Sequence, residues 1–159
     1  MTLVRRVVDV AGDVVAAEAL WYQVERWPEW VDGCARVTDR ADHWPRAGGR
    51  VVWESLPHGR GRVSEQARAH EPGSGQTAEV NDERLSAVQR VSFARAPEGV
   101  QIALELDYRL TRRGPGMVVV DMLFIRRAVG DSLTRTLEGF AELLAGDRSA
   151  AHDRPGDLR

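Results

Sequence analysis

The sequence contains no lysine, and all 22 of its basic residues are arginine. Without a lysine the chain cannot form a Schiff base with a carbonyl substrate, and it cannot build a lysine-dependent phosphate loop. An all-arginine basic set also indicates GC-rich coding, which favours a bacterial source. The missing lysine therefore excludes two kinds of enzyme chemistry before any pattern is considered.

Cysteine and long apolar runs are nearly absent as well. Cys34 is the single cysteine, so no internal disulfide can form and nothing indicates an oxidising compartment. No histidine lies close to it in sequence to activate its thiol, so we interpret it as a buried or otherwise unreactive cysteine. No run of about 18 apolar residues exists, and the N-terminus lacks the apolar core of a signal peptide. We expect a cytoplasmic protein without integral membrane association.

The sequence also lacks the charge and the motifs that several function classes require. A formal net charge of -2 at pH 7 argues against nucleic acid, since phosphate binding needs a concentrated basic surface. The four histidines and the cysteine show no metal-ligand spacing, and there is no G-x-S-x-G elbow and no glycine-rich nucleotide loop. We therefore expect no metal and no cofactor, while the question of enzyme activity stays open.

What is present predicts one α+β domain over residues 1–145. Leu3 to Val10 has the pattern of a strand, and Asp13 is a good helix N-cap. Apolar residues then recur every three or four positions from Val14 to Trp27, where Pro28 should end the helix. Residues 29–32 should form a separate short turn, which gives a bent helical pair.

Six further strand-like segments follow, and turns rich in glycine and proline separate most of them. They are Cys34 to Asp39, Arg50 to Leu56, Gly61 to His70, Gln76 to Asn81, Ala87 to Ala94 and Val100 to Thr111. In the last one, large apolar residues from Val100 to Leu110 alternate with residues that are polar except for Ala103, which is typical of a sheet with one covered face. Short connections predict an antiparallel meander.

The run from Pro115 to Leu144 predicts a long C-terminal helix. One apolar stripe recurs at spacings of three and four, and the opposite face is charged. The stripe consists of Met122, Ile125, Val129, Leu133, Leu137, Phe140 and Leu144. Residues 117–125 are nearly all apolar and should be buried nearly all round. Three consecutive valines there favour a strand, whereas the preceding Gly-Pro-Gly turn favours a helix start. Residues 146–159 are polar, and we expect a disordered tail.

This order of elements, β-α-α-β6-α with about seven strands, resembles the helix-grip fold of the START-like, birch-allergen-like superfamily (SRPBCC). Local motifs add to the likeness. Asp13 to Trp30, which ends in WPEW, is similar to bacterial members often labelled polyketide cyclase/dehydrase, as are Val51 to Ser55 and Leu123 to Ala128. The resemblance implies a curved antiparallel sheet that wraps the long C-terminal helix around an internal cavity. Carriers, sensors and enzymes share that scaffold.

Candidate ligand-binding residues come from the predicted walls of this cavity. Leu106 and Tyr108 lie on the covered face of the last strand, and Met122 and Ile125 lie on the helix stripe. All five tryptophans fall in the first third of the chain, where core packing is the main interpretation for Trp21 and Trp27. Trp30 and Trp53, which lie near turns, could equally contact a flat ligand.

Three residues are candidates for acid or base chemistry. Asp121 is the one acid in an apolar run, so it is either a pocket carboxylate or an acid that the helix dipole favours. Tyr108 would need a partner for its hydroxyl, from the protein or from a ligand. Glu65 shares a strand face with Val63, Ala67 and Ala69, so it points inward if they do and then pairs with Arg90 or with a ligand hydroxyl. The alternative is that the other face is the partly covered one and the assignment of faces is off by one residue.

Two function classes remain. The first is a carrier or sensor that binds a small hydrophobic molecule, such as a lipid, quinone or polyketide-like compound, in the internal cavity. The alternative is an aromatic polyketide cyclase or dehydratase that uses acid/base residues of the same cavity, since such chemistry needs only positioning and one or two proton-transfer groups. A protein-interaction module would need an exposed apolar patch, which the sequence does not locate.

Overall fold

A computed structural model describes residues 1–111 and 119–154, with the side chains of residues 119–121 left out. The first strand, β1 (Thr2–Val10), is followed by α1 (Val14–Tyr22), a 3-10 turn (Val24–Arg26) and α2 (Trp27–Trp30). Six strands come next, and the chain then ends in one long helix, α3 (Val119–His152). The strands are β2 (Cys34–Arg40), β3 (Arg50–Ser55), β4 (Arg62–Glu71), β5 (Gly75–Asn81), β6 (Leu85–Ala96) and β7 (Gly99–Leu110).

All seven strands form one antiparallel sheet in the order β1-β7-β6-β5-β4-β3-β2. The meander from β2 to β7 and the α+β helix-grip architecture are confirmed. Short turns allow each of these strands to pair with the next. The first strand, β1, forms the edge of the sheet next to β7, with Val4 opposite Leu106. The predicted alternation of β7 is also confirmed, because Val100, Ile102, Leu104, Leu106 and Tyr108 are all buried.

The helical pair differs from its prediction at the bend. The Asp13 carboxylate caps α1 as expected, accepting a hydrogen bond from the backbone N–H of Ala16 at 2.7 Å. However, α1 already ends at Tyr22, and Pro28 lies in the first turn of α2 instead of ending the first helix. Proline suits that position because the N–H that it lacks would have had no partner inside the helix.

The C-terminal run is a helix wherever the structure describes it, so the strand alternative is wrong for residues 119 onward. Its 34 residues span about 51 Å at 1.5 Å per residue. The helix continues beyond residue 145 to His152. Ala145, Ala150 and Ala151 favour this extension, and Gly146 opposes it by only about 1 kcal/mol. Arg26 also binds Asp147 at 2.6 Å, which ties this part of α3 to the rest of the fold.

Burial along α3 changes from one end to the other. Leu133, Leu137, Phe140 and Leu144 are buried, and the predicted charged face of the helix is exposed. By contrast, Met122, Leu123 and Phe124 are 45%, 62% and 73% exposed, so the expectation that this segment is buried all round is wrong for them. The reason is that the first turns of α3 face cavities and solvent rather than close-packed core.

The core beneath the second half of α3 is aromatic. All five tryptophans are at most 5% exposed. The Trp21 ring packs edge-on against Phe140 with centroids 5.1 Å apart, and Trp30 packs against the same ring at 4.9 Å. Gly139 allows α2 to approach α3 closely, since a Cβ there would lie 3.0 Å from the Trp30 carbonyl oxygen. The helical pair is therefore fixed on α3 by two kinds of contact: the tryptophan rings pack on Phe140, and the backbone of α2 packs closely on Gly139.

Candidate functional site

A cavity of about 720 Å³ lies between β6, β7 and the first turns of α3. Its apolar walls are formed mainly by Leu85, Leu106, Leu110, Phe124, Ile125 and Val129. Polar groups are present at one side, including Arg60, Gln89 and Ser132. We call this space the outer cavity. Its size and its mostly apolar walls are those of small-molecule sites.

A second, narrow space of about 50 Å³ lies deeper in the fold, and we call it the inner chamber. It shares Arg60, Gln89, Ser132 and Leu133 with the outer cavity, so the two spaces are neighbours. Its other walls include Trp30, Trp53 and Glu65. The pair of spaces therefore combines a large apolar volume with a small polar end.

Glu65 is the acid at this polar end. It points inward from β4 with Val63 and Ala67, as the alternation predicts, and it is 6% exposed. Ala69 leaves the pattern because the register between β4 and β5 shifts after Ala67, so that Ala69 is exposed. Trp53 Nε1 on the adjacent β3 donates a hydrogen bond to Glu65 Oε1 at 3.0 Å. Burial raises the pKa of the Glu65 carboxyl, while the Trp53 hydrogen bond, Arg60 and Gln89 oppose that shift.

The predicted partnership between Glu65 and Arg90 is wrong. Arg90 is exposed and lies opposite Glu105, on the other face of the sheet. The neighbouring Gln89 instead lies opposite Leu106 and faces inward, with its Nε2 3.5 Å from Glu65 Oε2. Adjacent residues of a strand point to opposite faces, so one position decides which side chain reaches the acid.

Arg60 is a site residue that the sequence analysis missed. It precedes β4, and its Nε donates to Asp82 Oδ2 at 2.6 Å. Its guanidinium carbon lies 5.6 Å from the centroid of the Trp53 ring. The Asp82 side chain is only 1% exposed and also accepts hydrogen bonds from the backbone N–H groups of Arg84 and Leu85. Asp82, in the turn before β6, thus holds Arg60, in the turn before β4, where the two spaces adjoin. No local sequence pattern predicts this contact between distant turns.

A second acid anchors α3 beside the inner chamber. Arg135 binds both oxygens of Asp32, and Ser132 Oγ donates to Asp32 Oδ2 at 2.8 Å. Burial alone would raise the pKa of Asp32, but the hydrogen bonds from Arg135 and Ser132 outweigh it and lower that pKa. The backbone N–H of Asp32 donates to Thr136 Oγ1 at 3.0 Å. These contacts fix the loop after α2 against α3.

Four of the ligand-binding candidates from the sequence line one of the two spaces, and Tyr108 lines neither. Trp30 and Trp53 line the inner chamber, and Leu106 and Ile125 line the outer cavity. Tyr108 is buried, and burial raises its pKa, but it is not among the described residues that line either space.

Two candidates on α3 and the single cysteine complete the account. Met122 is exposed and is also not among the described residues that line the two spaces. The side chain of Asp121 lies outside the described residues. Cys34 is buried, as expected, and burial together with the charge of Glu65 raises its pKa to about 11.

No cluster of three or more histidine, cysteine or acidic side chains in residues 1–111 and 122–154 could hold a metal ion. None of the helices in residues 1–111 and 119–154 combines the length and the apolar character that crossing a membrane requires.

No protein-family model matches the sequence, and no curated protein is similar to it at a significant level. Solved structures do match. The di-domain ARO/CYC StfQ from the steffimycin biosynthetic pathway has a TM-score of 0.72 and 18% identity over 93% of this chain. This chain spans about half of that protein, 51% of its length.

Two other solved structures match over nearly their whole lengths. A Thermus thermophilus protein has a TM-score of 0.73 at 15% identity, covering 92% of this chain and 99% of its own. A START superfamily protein from Mycobacterium smegmatis has a TM-score of 0.66 at 17% identity, covering 89% and 98%. At these identities the likeness establishes the fold alone, which is a helix-grip fold.

Proposed function

We propose that the protein binds a small hydrophobic molecule in the outer cavity and acts as its carrier or sensor. The observation that carries this proposal is an apolar cavity of about 720 Å³ between the sheet and α3. Pockets of about 300 to 1,000 Å³ with few polar groups are the usual sites for drug-sized ligands. A lipid, a quinone or a polyketide-like compound would fit this chemistry.

The cavity walls explain why a hydrophobic guest would be favoured. Leu85, Leu106 and Leu110 come from two adjacent strands, and Ile125 and Val129 face them from α3. Burying apolar surface contributes about 25 cal/mol per Å², so a guest that covers 200 Å² of wall would gain about 5 kcal/mol before its entropy losses. This gross gain corresponds to a dissociation constant of about 0.2 mM, so a guest that binds at micromolar concentration must bury more apolar surface or add polar contacts.

Titration with the apolar dye Nile red, whose emission rises in a dry environment, tests the proposal. Val129→Trp should fill part of the outer cavity from α3 and weaken dye binding at least tenfold. Arg127→Trp adds the same ring to the exposed face of the same helix and should leave binding unchanged. Equal affinity in both variants would place the dye elsewhere and remove the support for a cavity ligand. Native mass spectrometry of the purified protein would then identify any natural guest.

A cyclase or dehydratase activity is the second candidate, because one observation favours it. Glu65 is a buried carboxyl with a raised pKa beside the inner chamber, and such a group can hold a proton for transfer to a bound substrate. Glu65→Gln keeps the shape and removes the transferable proton. The assay measures product formation from an aromatic polyketide substrate. If the variant forms product at the rate of the original protein, the cyclase or dehydratase hypothesis based on Glu65 is refuted, and the carrier hypothesis is unaffected.

A further inference from the structure

Two hydrogen-bond donors beside the inner chamber have no acceptor. Trp30 Nε1 and Arg60 Nη2 are buried, and no acceptor lies within hydrogen-bond distance of either in the described part of the chain. Both residues line the inner chamber. An unpaired buried donor lowers the stability of the folded state by about 1–3 kcal/mol, so such donors are rare in folded proteins and call for an explanation.

Neither donor can easily turn to another partner. Trp30 is held between Trp21 and Phe140, with ring centroids 4.7 Å and 4.9 Å away, and its backbone touches Gly139. Arg60 is fixed through its Nε by Asp82 at 2.6 Å. By contrast, three other buried indoles donate to acceptors within the protein. Trp27 donates to the Trp21 carbonyl, Trp44 to the Tyr22 carbonyl and Trp53 to the Glu65 carboxyl.

We propose that the inner chamber receives one acceptor oxygen of the ligand, a carbonyl oxygen that accepts hydrogen bonds from Trp30 Nε1 and Arg60 Nη2. The proposal rests on the proposed function, since the hydrophobic body of the same ligand occupies the outer cavity. A chamber of about 50 Å³ has room for an oxygen and its carbon but not for a ring. The ligand class is therefore a ketone or quinone on an apolar skeleton, rather than a hydrocarbon or a charged lipid.

The shape of the two spaces gives this ligand one orientation. Gln89, Ser132 and Leu133 line both spaces, so a ligand that extends from one to the other would place its carbonyl in the inner chamber and its apolar skeleton in the outer cavity. Two donors that converge on one carbonyl oxygen also withdraw electrons from its carbon. The arrangement would thus serve recognition in a carrier and carbonyl activation in an enzyme.

The test compares two probes of nearly equal shape, methyl naphthyl ketone and the corresponding ethylnaphthalene, which has CH₂ in place of the carbonyl. The original protein should bind the ketone at least about tenfold more tightly, since a site built for a polar group rejects the analogue that lacks it. Calorimetry or competition with Nile red would give both affinities. Hydrogen bonding should also lower the C=O stretching frequency of the carbon-13-labelled ketone.

Variants then assign the two donors. Trp30→Phe removes one N–H with little change of volume, and we expect it to reduce the ratio of ketone to ethylnaphthalene affinity about threefold to tenfold. Arg60→Met removes the other donor and should act in the same direction. Trp44→Phe is the matched control, because it removes an indole N–H from a buried tryptophan that lines neither space. Its ratio and its C=O frequency should equal those of the original protein.

Failures of the two proposals are distinguishable. Equal binding of both probes, with an unshifted C=O frequency, would overturn the carbonyl assignment and leave hydrophobic binding in place, with water as the partner of the donors. Binding of neither probe would overturn the proposed function and this inference together. A ratio that Trp30→Phe and Trp44→Phe reduce equally would also refute the assignment, because it would reflect general loosening of the aromatic core.

Discussion

Replacing Glu65 with glutamine should change how the stability of the protein depends on pH. Glu65 is 6% exposed, and burial raises its pKa, with the Trp53 hydrogen bond as the main opposing effect. Glutamine has nearly the same size and keeps an oxygen that can accept from Trp53 Nε1. The substitution therefore removes the titration and little else.

The sign and the size of the effect follow from proton binding. An unfolded glutamate has a pKa of about 4.3, and the folded state holds the proton of Glu65 to a higher pH. Its contribution to stability is therefore fully present below the unfolded pKa and is lost as pH rises through the folded pKa. In that window the free energy of unfolding should fall by up to about 1.36 kcal/mol per pH unit relative to Glu65→Gln.

Urea unfolding, followed by tryptophan fluorescence in steps from pH 4 to pH 9, measures this difference. Glu65→Leu is the companion variant: it also removes the titration, so its curve should run parallel to that of Glu65→Gln. It leaves Trp53 Nε1 without its acceptor, which costs about 1–3 kcal/mol and is partly offset by the apolar leucine. If the difference between the original protein and Glu65→Gln stays flat, or rises with pH, the inference that burial dominates the site would be refuted.

Three further predictions concern the core. Phe140→Ala should cost about 3–5 kcal/mol and lower the thermal midpoint by about 6–20 °C, because Phe140 is fully buried against Trp30; a loss below about 1 kcal/mol would contradict this packing. Gly139→Ala should be at least about 1 kcal/mol less stable than Gly130→Ala in chemical denaturation, since the new methyl at 139 meets backbone whereas at 130 it meets chiefly the end of a flexible arginine side chain. Equal stabilities would show that α2 can shift freely. Iodoacetamide at pH 8 should modify Cys34 at least about 100-fold more slowly in the folded than in the unfolded protein, because its pKa is raised to about 11; a fast reaction would place the thiol in solvent.

The architecture could be predicted because its signals are local. Glycine and proline mark most turns between strands, and the alternation from Val100 to Leu110 fixes which face of β7 is covered. The same logic placed Glu65 inside. It failed at Ala69, where the bulge between β4 and β5 lets the strand turn over. A bulge inserts one residue without a distinctive composition, so alternation alone does not reveal it.

The site was less predictable because its members meet through pairing over long sequence separations. Gln89, not Arg90, reaches Glu65, because Gln89 lies on the inner face of β6 and Arg90 on the outer face. Arg60 is positioned by Asp82, which comes 22 residues later on a different turn. Apolar composition also misled at Met122, because a helix stripe predicts which residues share a side but not whether the sheet reaches that far.

The edge position of β1 has a consequence for how the chain assembles. From β2 onward each strand can pair with its successor as soon as both exist, so most of the sheet can form by local steps. In contrast, β1 cannot pair until β7 has formed, since β7 is its only partner in the described sheet and lies roughly a hundred residues downstream. Closing so large a loop is slow compared with forming a hairpin. On the ribosome, β1 would be synthesised well before β7 and would thus be among the last strands to join the sheet.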